Sequence, residues 1–185
     1  FLFLLCYNLF VMRNKNISKI VIMGVLSAVD VVLARFVSFN VWNMKIGTGF
    51  IPVIVAAILF GPVAAGIVGA LGDFIGAILF PIGTYFPAFT VTAFISGIIY
   101  GIFLHSVKNM QGKNAVRIMA AVLLDQFVLA LFVNSYWISV LYGAPYKGLI
   151  ATRVIQALIM TAIELICIPI IAKLTDRYGK DLLSQ

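Results

Sequence analysis

The chain has 185 residues, of which 63% are hydrophobic, with thirteen Lys and Arg against six Asp and Glu for a formal net charge of +7. Its mean hydropathy of +1.14 and its apolar content lie well above the roughly 45–50% apolar content of soluble domains. These values exclude a soluble enzyme, and the short loops between apolar segments leave no room for a nucleotide-binding domain. The positive charge does not indicate nucleic-acid binding, since no basic run with interleaved aromatics occurs. It fits anchoring beside anionic lipid.

Several apolar stretches reach the roughly 17–25 residues that cross a hydrocarbon core, and the strict alternation of a membrane barrel is missing. The expected class is therefore all-α and integral to the membrane, with six transmembrane helices. Phe1 to Met12 is apolar but too short to span and is followed by Arg13, Lys15 and Lys19. It reads as an N-terminal extension, upstream or not native, with Met12 as the start and residues 13–185 as a single six-helix domain. A secretory signal fits poorly, because the basic residues follow the apolar run and no A-x-A cleavage site appears.

Helix one is expected from Ser18, an N-cap candidate, to Val37, followed by a loop bearing Lys45. A short helix two spans Gly49 to Phe60 and ends at the Gly61-Pro62 breaker. Helix three covers Val63 to Leu79. The uncharged aromatic loop from Phe80 to Thr90, stiffened by Pro81 and Pro87, leads into helix four, Ala88 to His105. Helix five runs from Ala115 to Leu141 and helix six from Leu149 to Leu174. Cys6 and Cys167 lie in separate apolar segments without CxxC spacing or a nearby His, which points to packing and not to a metal site or disulfide.

Basic residues in short loops gather on the cytoplasmic side. Arg13, Lys15 and Lys19 precede helix one, Lys108, Lys113 and Arg117 join helices four and five, and Lys173, Arg177 and Lys180 end the chain. With six spans, all nine share one side, so both termini are expected to be cytoplasmic. Arg35, Lys45, Lys147 and Arg153 remain, at the opposite ends of the helices.

Lys45 and Lys147 read equally well as interfacial anchors. Arg35 and Arg153 sit deeper, where an unpaired guanidinium is expensive and usually faces protein or a water-filled cavity. An Arg fork matches a carboxylate bidentately, so these cations suit an anionic ligand held at the outer face. Phe36, Phe39, Trp42 and Asn43, then Tyr85, Phe86 and Phe89, then Asn134, Tyr136, Trp137 and Tyr142 fall in the same layer. An aromatic belt at the headgroups explains Trp42 and Tyr142 but not Asn134. Asn134, Trp137 and Leu141 follow helical spacing, and Gln156 lies one turn inward from Arg153, so a flat heteroaromatic ring fits between an indole and amides.

Asp73 and Glu164 are costly in lipid unless paired or protonated, and either suits a proton relay. Ala65, Gly69, Gly72 and Gly76 surround Asp73 with small residues, which favours a hydrogen bond across a close helix contact. Asp30 lies within helix one, whereas Asp125 is expected near the cytoplasmic end of helix five. Gly24 and Ala28 form a small-xxx-small pattern suited to close helix packing.

Residues 49–62 (GFIPVIVAAILFGP), 69–73 (GALGD), 84–93 (TYFPAFTVTA) and 135–137 (SYW), with Arg153, carry a resemblance to a known family. From Met12 onward the chain resembles the substrate-binding S components of energy-coupling factor vitamin transporters, most closely the folate-specific kind. The resemblance implies a six-helix fold that binds a vitamin at its outer face. It also implies docking onto a shared T subunit through Gly24 and Ala28, with ATP used by two cytoplasmic ATPase subunits and no cofactor in this chain. Loops one and three would act as gates, and the S component would topple in the membrane to deliver its cargo. For folate, the implied ligand set is stacking by Tyr85, Phe89 or Trp137, and carboxylate pairing by Arg35, Lys45 or Arg153. Asn134 or Gln156 would read the pteridine edge, with Phe39, Asn43, Thr90 and Tyr142 in the same layer.

Other readings stay open at this point. An S component for pantothenate or a pyrimidine would keep the architecture and change the pocket. A proton-coupled secondary transporter would use Asp73 or Glu164, although the two halves show no clear internal repeat. An intramembrane enzyme fits least: His105 is the only histidine, and no Ser/His pair, HExxH or clustered Asp motif accompanies it.

Overall fold

The computed structural model describes residues 15–41, 44–105, 107 and 112–183. Among the described residues there are six helices and one small hairpin. Helix α1 is Lys15–Phe36, and strands β1 (Phe39–Val41) and β2 (Met44–Ile46) follow. Then come α2 (Phe50–Phe60), α3 (Pro62–Leu79), α4 (Pro87–Leu104), α5 (Lys113–Tyr142) and α6 (Tyr146–Leu183). The hairpin is antiparallel, with Phe39 opposite Ile46 and Asn40 opposite Lys45.

Five helices are long and apolar enough to cross a membrane. Helix α2 has only 11 residues, a rise of about 16 Å at 1.5 Å per residue, and is buried along much of its length through Pro52, Val53, Ile54, Ala56, Ala57 and Ile58. At that length it falls short of the roughly 17–25 residues that cross a hydrocarbon core, so five of the six helices expected to span are of membrane length and α2 is a short apolar helix packed among them. Large apolar side chains on the other helices, such as Ile20, Val63, Val91, Ile102 and Ile166, face outward, as expected where the surroundings are hydrocarbon.

The turns follow from sequence chemistry. Gly61 at φ +85° takes a backbone conformation that an L side chain resists, and Pro62 then opens α3 where the missing N–H has no helical partner anyway. Pro87 opens α4 in the same way. Helix α5 ends on Gly143 in the left-handed conformation, its N–H donating to Ser139 O at 2.9 Å.

Helices α3 and α4 meet along glycines. A Cβ on Gly97 would overlap the Ala65 carbonyl, and one on Gly101 the Pro62 backbone; on Gly69 it would stand 2.9 Å from Ala93 O. Close backbone approach of this kind is how membrane helices gain packing without a hydrophobic drive between them. The glycines expected around Asp73 partly serve a different purpose. Gly72 makes room for the Asp30 carboxyl of α1, and Gly76 for the Arg35 guanidinium, whose Nε would stand 2.8 Å from a Cβ there.

The apolar core lies at the end where α4 stops: Ile54, Ala57, Tyr100, Leu104, Val107, Ile118, Val122, Ile168 and Ala172 cluster there. His105 Nδ1 lies 3.4 Å from Ala57 O at the same end. The opposite end, beneath the hairpin, is hollow.

Two features exceed the sequence-based expectation. Helix α6 runs 38 residues, to Leu183, through an internal Pro169. Within α5, Leu124–Val133 is a π-helix, a wide turn with five-residue hydrogen bonds that is rare and frequent at functional sites.

Candidate ligand-binding site

The hollow end holds a cavity of about 420 Å³, within the size range of small-molecule sites. Its wall combines cations (Arg35, Lys45, Arg153), acids (Asp73, Asp125), aromatic rings (Tyr85, Phe86, Phe89, Tyr142) and Asn134. A smaller cavity of about 230 Å³ adjoins it and shares Arg35, Lys45, Asp73, Ala93, Ser96 and Asp125. Its remaining wall includes Asp30, Tyr100, Gln126 and Glu164.

The cations come from three elements. Arg35 is in the last turn of α1, Lys45 is on β2, and Arg153, 6% exposed, lies about two turns into α6 because that helix begins at Tyr146. The buried Nε atoms of Arg35 and Arg153 have no hydrogen-bond partner among the described residues. Lys45 is exposed as a residue yet lines both cavities. Desolvation at that mouth, reinforced by the Arg35 guanidinium, lowers its pKa from the ordinary lysine value, and Asp73 opposes the change. Its backbone N–H donates to Gln156 Oε1 at 3.3 Å, tying the hairpin to α6.

The aromatic side is built by the α3–α4 loop and α5. Phe86 packs against Phe89 with ring centroids 6.1 Å apart and against Trp137 at 5.9 Å. Trp137 Nε1 donates to Thr92 Oγ1 at 3.2 Å, so the indole stands behind the wall, and Thr92 and Phe86 present the surface. Asn134 lines the cavity, and its buried Oδ1 lacks a partner among the described residues. The stripe of α5 on this wall is Asp125, Leu129, Ala130, Asn134, Ile138 and Tyr142, in place of the expected Asn134, Trp137 and Leu141.

Two more expected residues support the wall from behind. Thr90 Oγ1 donates to Asp73 Oδ2 at 2.8 Å and lies 3.4 Å from Tyr85 Oη. This is the cross-helix hydrogen bond anticipated for Asp73. Gln156 is buried under the hairpin. Phe39, 80% exposed, is not part of the cavity wall. Asn43 lies outside the described residues. Gly24 and Ala28 are exposed on one face of α1, and nothing stands within 4 Å of a Cβ at Gly24.

The structure also reveals wall residues not singled out from sequence. Asp125, expected near the cytoplasmic end of its helix, lines both cavities. Behind it, the Tyr100 hydroxyl contacts Asp125 Oδ2 at 3.0 Å and Glu164 Oε2 at 2.7 Å, and Gln126 Nε2 donates to Glu164 Oε1 at 2.5 Å. Glu164, 1% exposed, is thus satisfied by two neighbours, as a buried acid must be.

A bundle of membrane-length helices closed over a cationic, aromatic cavity at one end is the architecture of a membrane-embedded binding protein. The chain belongs to the family "ECF transporter, substrate-specific component", whose model matches residues 18–172. Such a component is a transport protein of the membrane and not an enzyme. The chain is 36% identical over 163 residues to the folate transporter FolT of Clostridium novyi (strain NT), covering 88% of this chain and 92% of that one. It is 30% identical over 154 residues to FolT of Leuconostoc mesenteroides subsp. mesenteroides, covering 79% and 80%. Among solved structures, FolT bound with folic acid superposes with a TM-score of 0.73 at 36% identity, over 80% of this chain and 89% of that one. The S component of a bacterial ECF transporter shares the fold at 23% identity, with a TM-score of 0.63 over 93% of this chain and the whole of that one.

Proposed function

We propose that this chain is the high-affinity folate-binding subunit of a vitamin importer. The observation that carries the reading is the convergence of Arg35, Lys45 and Arg153 on one aromatic-walled cavity, in a chain similar to folate transporters. Folate joins a flat pteridine and a benzoyl ring to a dianionic glutamate. The orphaned guanidinium Nε atoms supply donors for the carboxylates. The rings of Tyr85, Phe86 and Phe89 supply faces for stacking, with Trp137 behind Phe86 and Tyr142 at the rim. Asn134 offers an unsatisfied amide oxygen, Gln156 and Thr90 fix the lining from behind, and Lys45 adds an ammonium at the mouth. Phe39 belongs to the hairpin that covers the mouth in this reading.

The protein works with a T subunit and two cytoplasmic ATPases, which use ATP on its behalf. Gly24 and Ala28, exposed on α1, form the surface that meets the T subunit. Both termini are cytoplasmic, as the distribution of Lys and Arg supports, so the cavity opens to the outside of the cell membrane.

Tryptophan fluorescence tests the reading in detergent-purified protein titrated with folic acid and, separately, with pantothenate. Saturable quenching by folic acid alone, after correction for its absorbance, is the expected result. A folded sample that responds to neither, or to pantothenate only, would refute it.

A further inference from the structure

The two ends of the joined cavities differ in which hydrogen-bonding capacity is left over. Toward the hairpin the unmatched groups are donors, the Nε atoms of Arg35 and Arg153. On the inner cavity the unmatched group is an acceptor, Gln126 Oε1, and Asn134 Oδ1 on the outer cavity is a second, both buried without a partner among the described residues. Gln126 is held in that orientation because its Nε2 donates to Glu164. Asp125 stands where the two cavities join and lines both.

Asp125 is 8% exposed, and no cation pairs with it among the described residues. Its carboxyl lies 3.0 Å from the Tyr100 hydroxyl, whose one proton it shares with Glu164, and beside the Ser96 hydroxyl. The other wall acid, Asp73, is already engaged by Thr90 and by the field of Lys45. The backbone is also committed to presenting Asp125. It lies nine positions before Asn134, about two and a half turns of an ordinary α-helix, which would set the two on opposite faces. The wide turns of Leu124–Val133 bring both onto the cavity.

We propose that Asp125 is a specificity-determining residue that accepts hydrogen bonds from the amino and ring N–H edge of the ligand's heterocycle, with Tyr100 and Ser96 as its positioning residues. The proposal rests on the folate reading and orients the ligand ring-first, its carboxylates at Arg35 and Arg153. A carboxyl presents two oxygens to a pair of adjacent N–H donors, and a site built to receive donors rejects analogues that lack them.

The test compares the full chain and its Asp125→Asn variant in binding two probes: folic acid, and 4-aminobenzoyl-glutamate, which keeps the acidic tail and lacks the ring. The expected result is a loss of roughly 10- to 100-fold for folic acid with the tail fragment changed by less than about twofold, as loss of a hydrogen bond to a charged group predicts. Arg153→Ala, as a comparison, weakens both probes. Equal weakening of both by Asp125→Asn, or of neither, overturns the proposal. Should the variant fail to fold, or the fragment bind too weakly to titrate, the unmodified protein is titrated with folic acid whose 2-amino group is replaced by methyl. Undiminished affinity for that analogue overturns the proposal equally. Failure of the folate reading is distinguishable, since the unmodified protein would then not bind folic acid at all.

Discussion

The indole Nε1–H of Trp137 on α5 donates to Thr92 Oγ1 on α4 across 3.2 Å, and the same hydroxyl donates to Ala88 O at 2.9 Å. Thr92 is buried, so Thr92→Val keeps the shape and leaves an indole N–H without a partner. The cost should be about 1–3 kcal/mol, or a fall of several degrees in thermal midpoint, since about 1 kcal/mol corresponds to roughly 2–4 °C at this size. Thermal unfolding in detergent reads this directly; an unchanged midpoint would show that the bond contributes nothing.

Arg153→Ala should weaken folic acid binding by roughly 30-fold or more, the usual consequence of truncating one partner of a buried charge pair. Lys173→Ala, at an exposed position near the other end of α6, should change affinity by less than about twofold, as expected of surface charges. Matching affinities in the two variants would remove Arg153 from the ligand contact.

Folic acid affinity should fall as pH rises from neutrality toward 10. Burial holds the Lys45 pKa below the ordinary lysine value, so the ammonium is present at the lower pH and is lost as pH rises through that depressed value. Lys45→Arg, which stays charged throughout, should show a shallower decline over this range. An alkaline decline in the arginine variant equal to that of the unmodified protein would place the titration elsewhere.

Gly97→Ala should destabilise the bundle strongly, because its Cβ would occupy the position of the Ala65 carbonyl. Gly24→Ala meets open space and should be neutral or slightly stabilising through helix propensity, by about 1 kcal/mol at most. Comparing thermal midpoints of the two variants decides the matter, and a tolerant Gly97→Ala would mean that α3 and α4 can separate.

A bulkier change at the exposed site, Gly24→Leu, should leave folic acid binding intact while abolishing uptake in cells that express the T subunit and ATPases. Unimpaired uptake would show that this face of α1 is free of the T subunit.

Much of this architecture was legible in the sequence, because hydropathy, Gly-Pro breakers and charge distribution act locally. The helix limits fall within three residues of expectation except at the C-terminal end of α6. Arg35 and Arg153 stand out as cations misplaced for lipid, and Lys45, which reads equally well as an interfacial anchor, joins them on the cavity. The π-helix is not legible: nothing in Leu124–Val133 distinguishes it from an α-helix, so ordinary helical geometry sets Asp125 and Asn134 on opposite faces, whereas both line the cavity. Trp137 is expected on the wall and stands behind it: along the ordinary α-helix Asn134–Tyr142, Ile138 and Tyr142 at i+4 and i+8, and not Trp137 at i+3, line the cavity with Asn134. The hairpin was missed because three-residue strands are too short for alternation to register.

The glycine seam decides where this molecule can bend. With the Gly97 and Gly101 backbone pressed against Ala65 and Pro62, α3 and α4 cannot slide along one another without driving carbonyls into backbone, so they behave as a single rigid spar. Cavity access must then come from the parts around it. Among the described residues one hydrogen bond, 3.3 Å from Lys45 N to Gln156 Oε1, ties the hairpin to α6, so it can lift while the spar carrying Asp73, Phe89 and Thr92 keeps its shape.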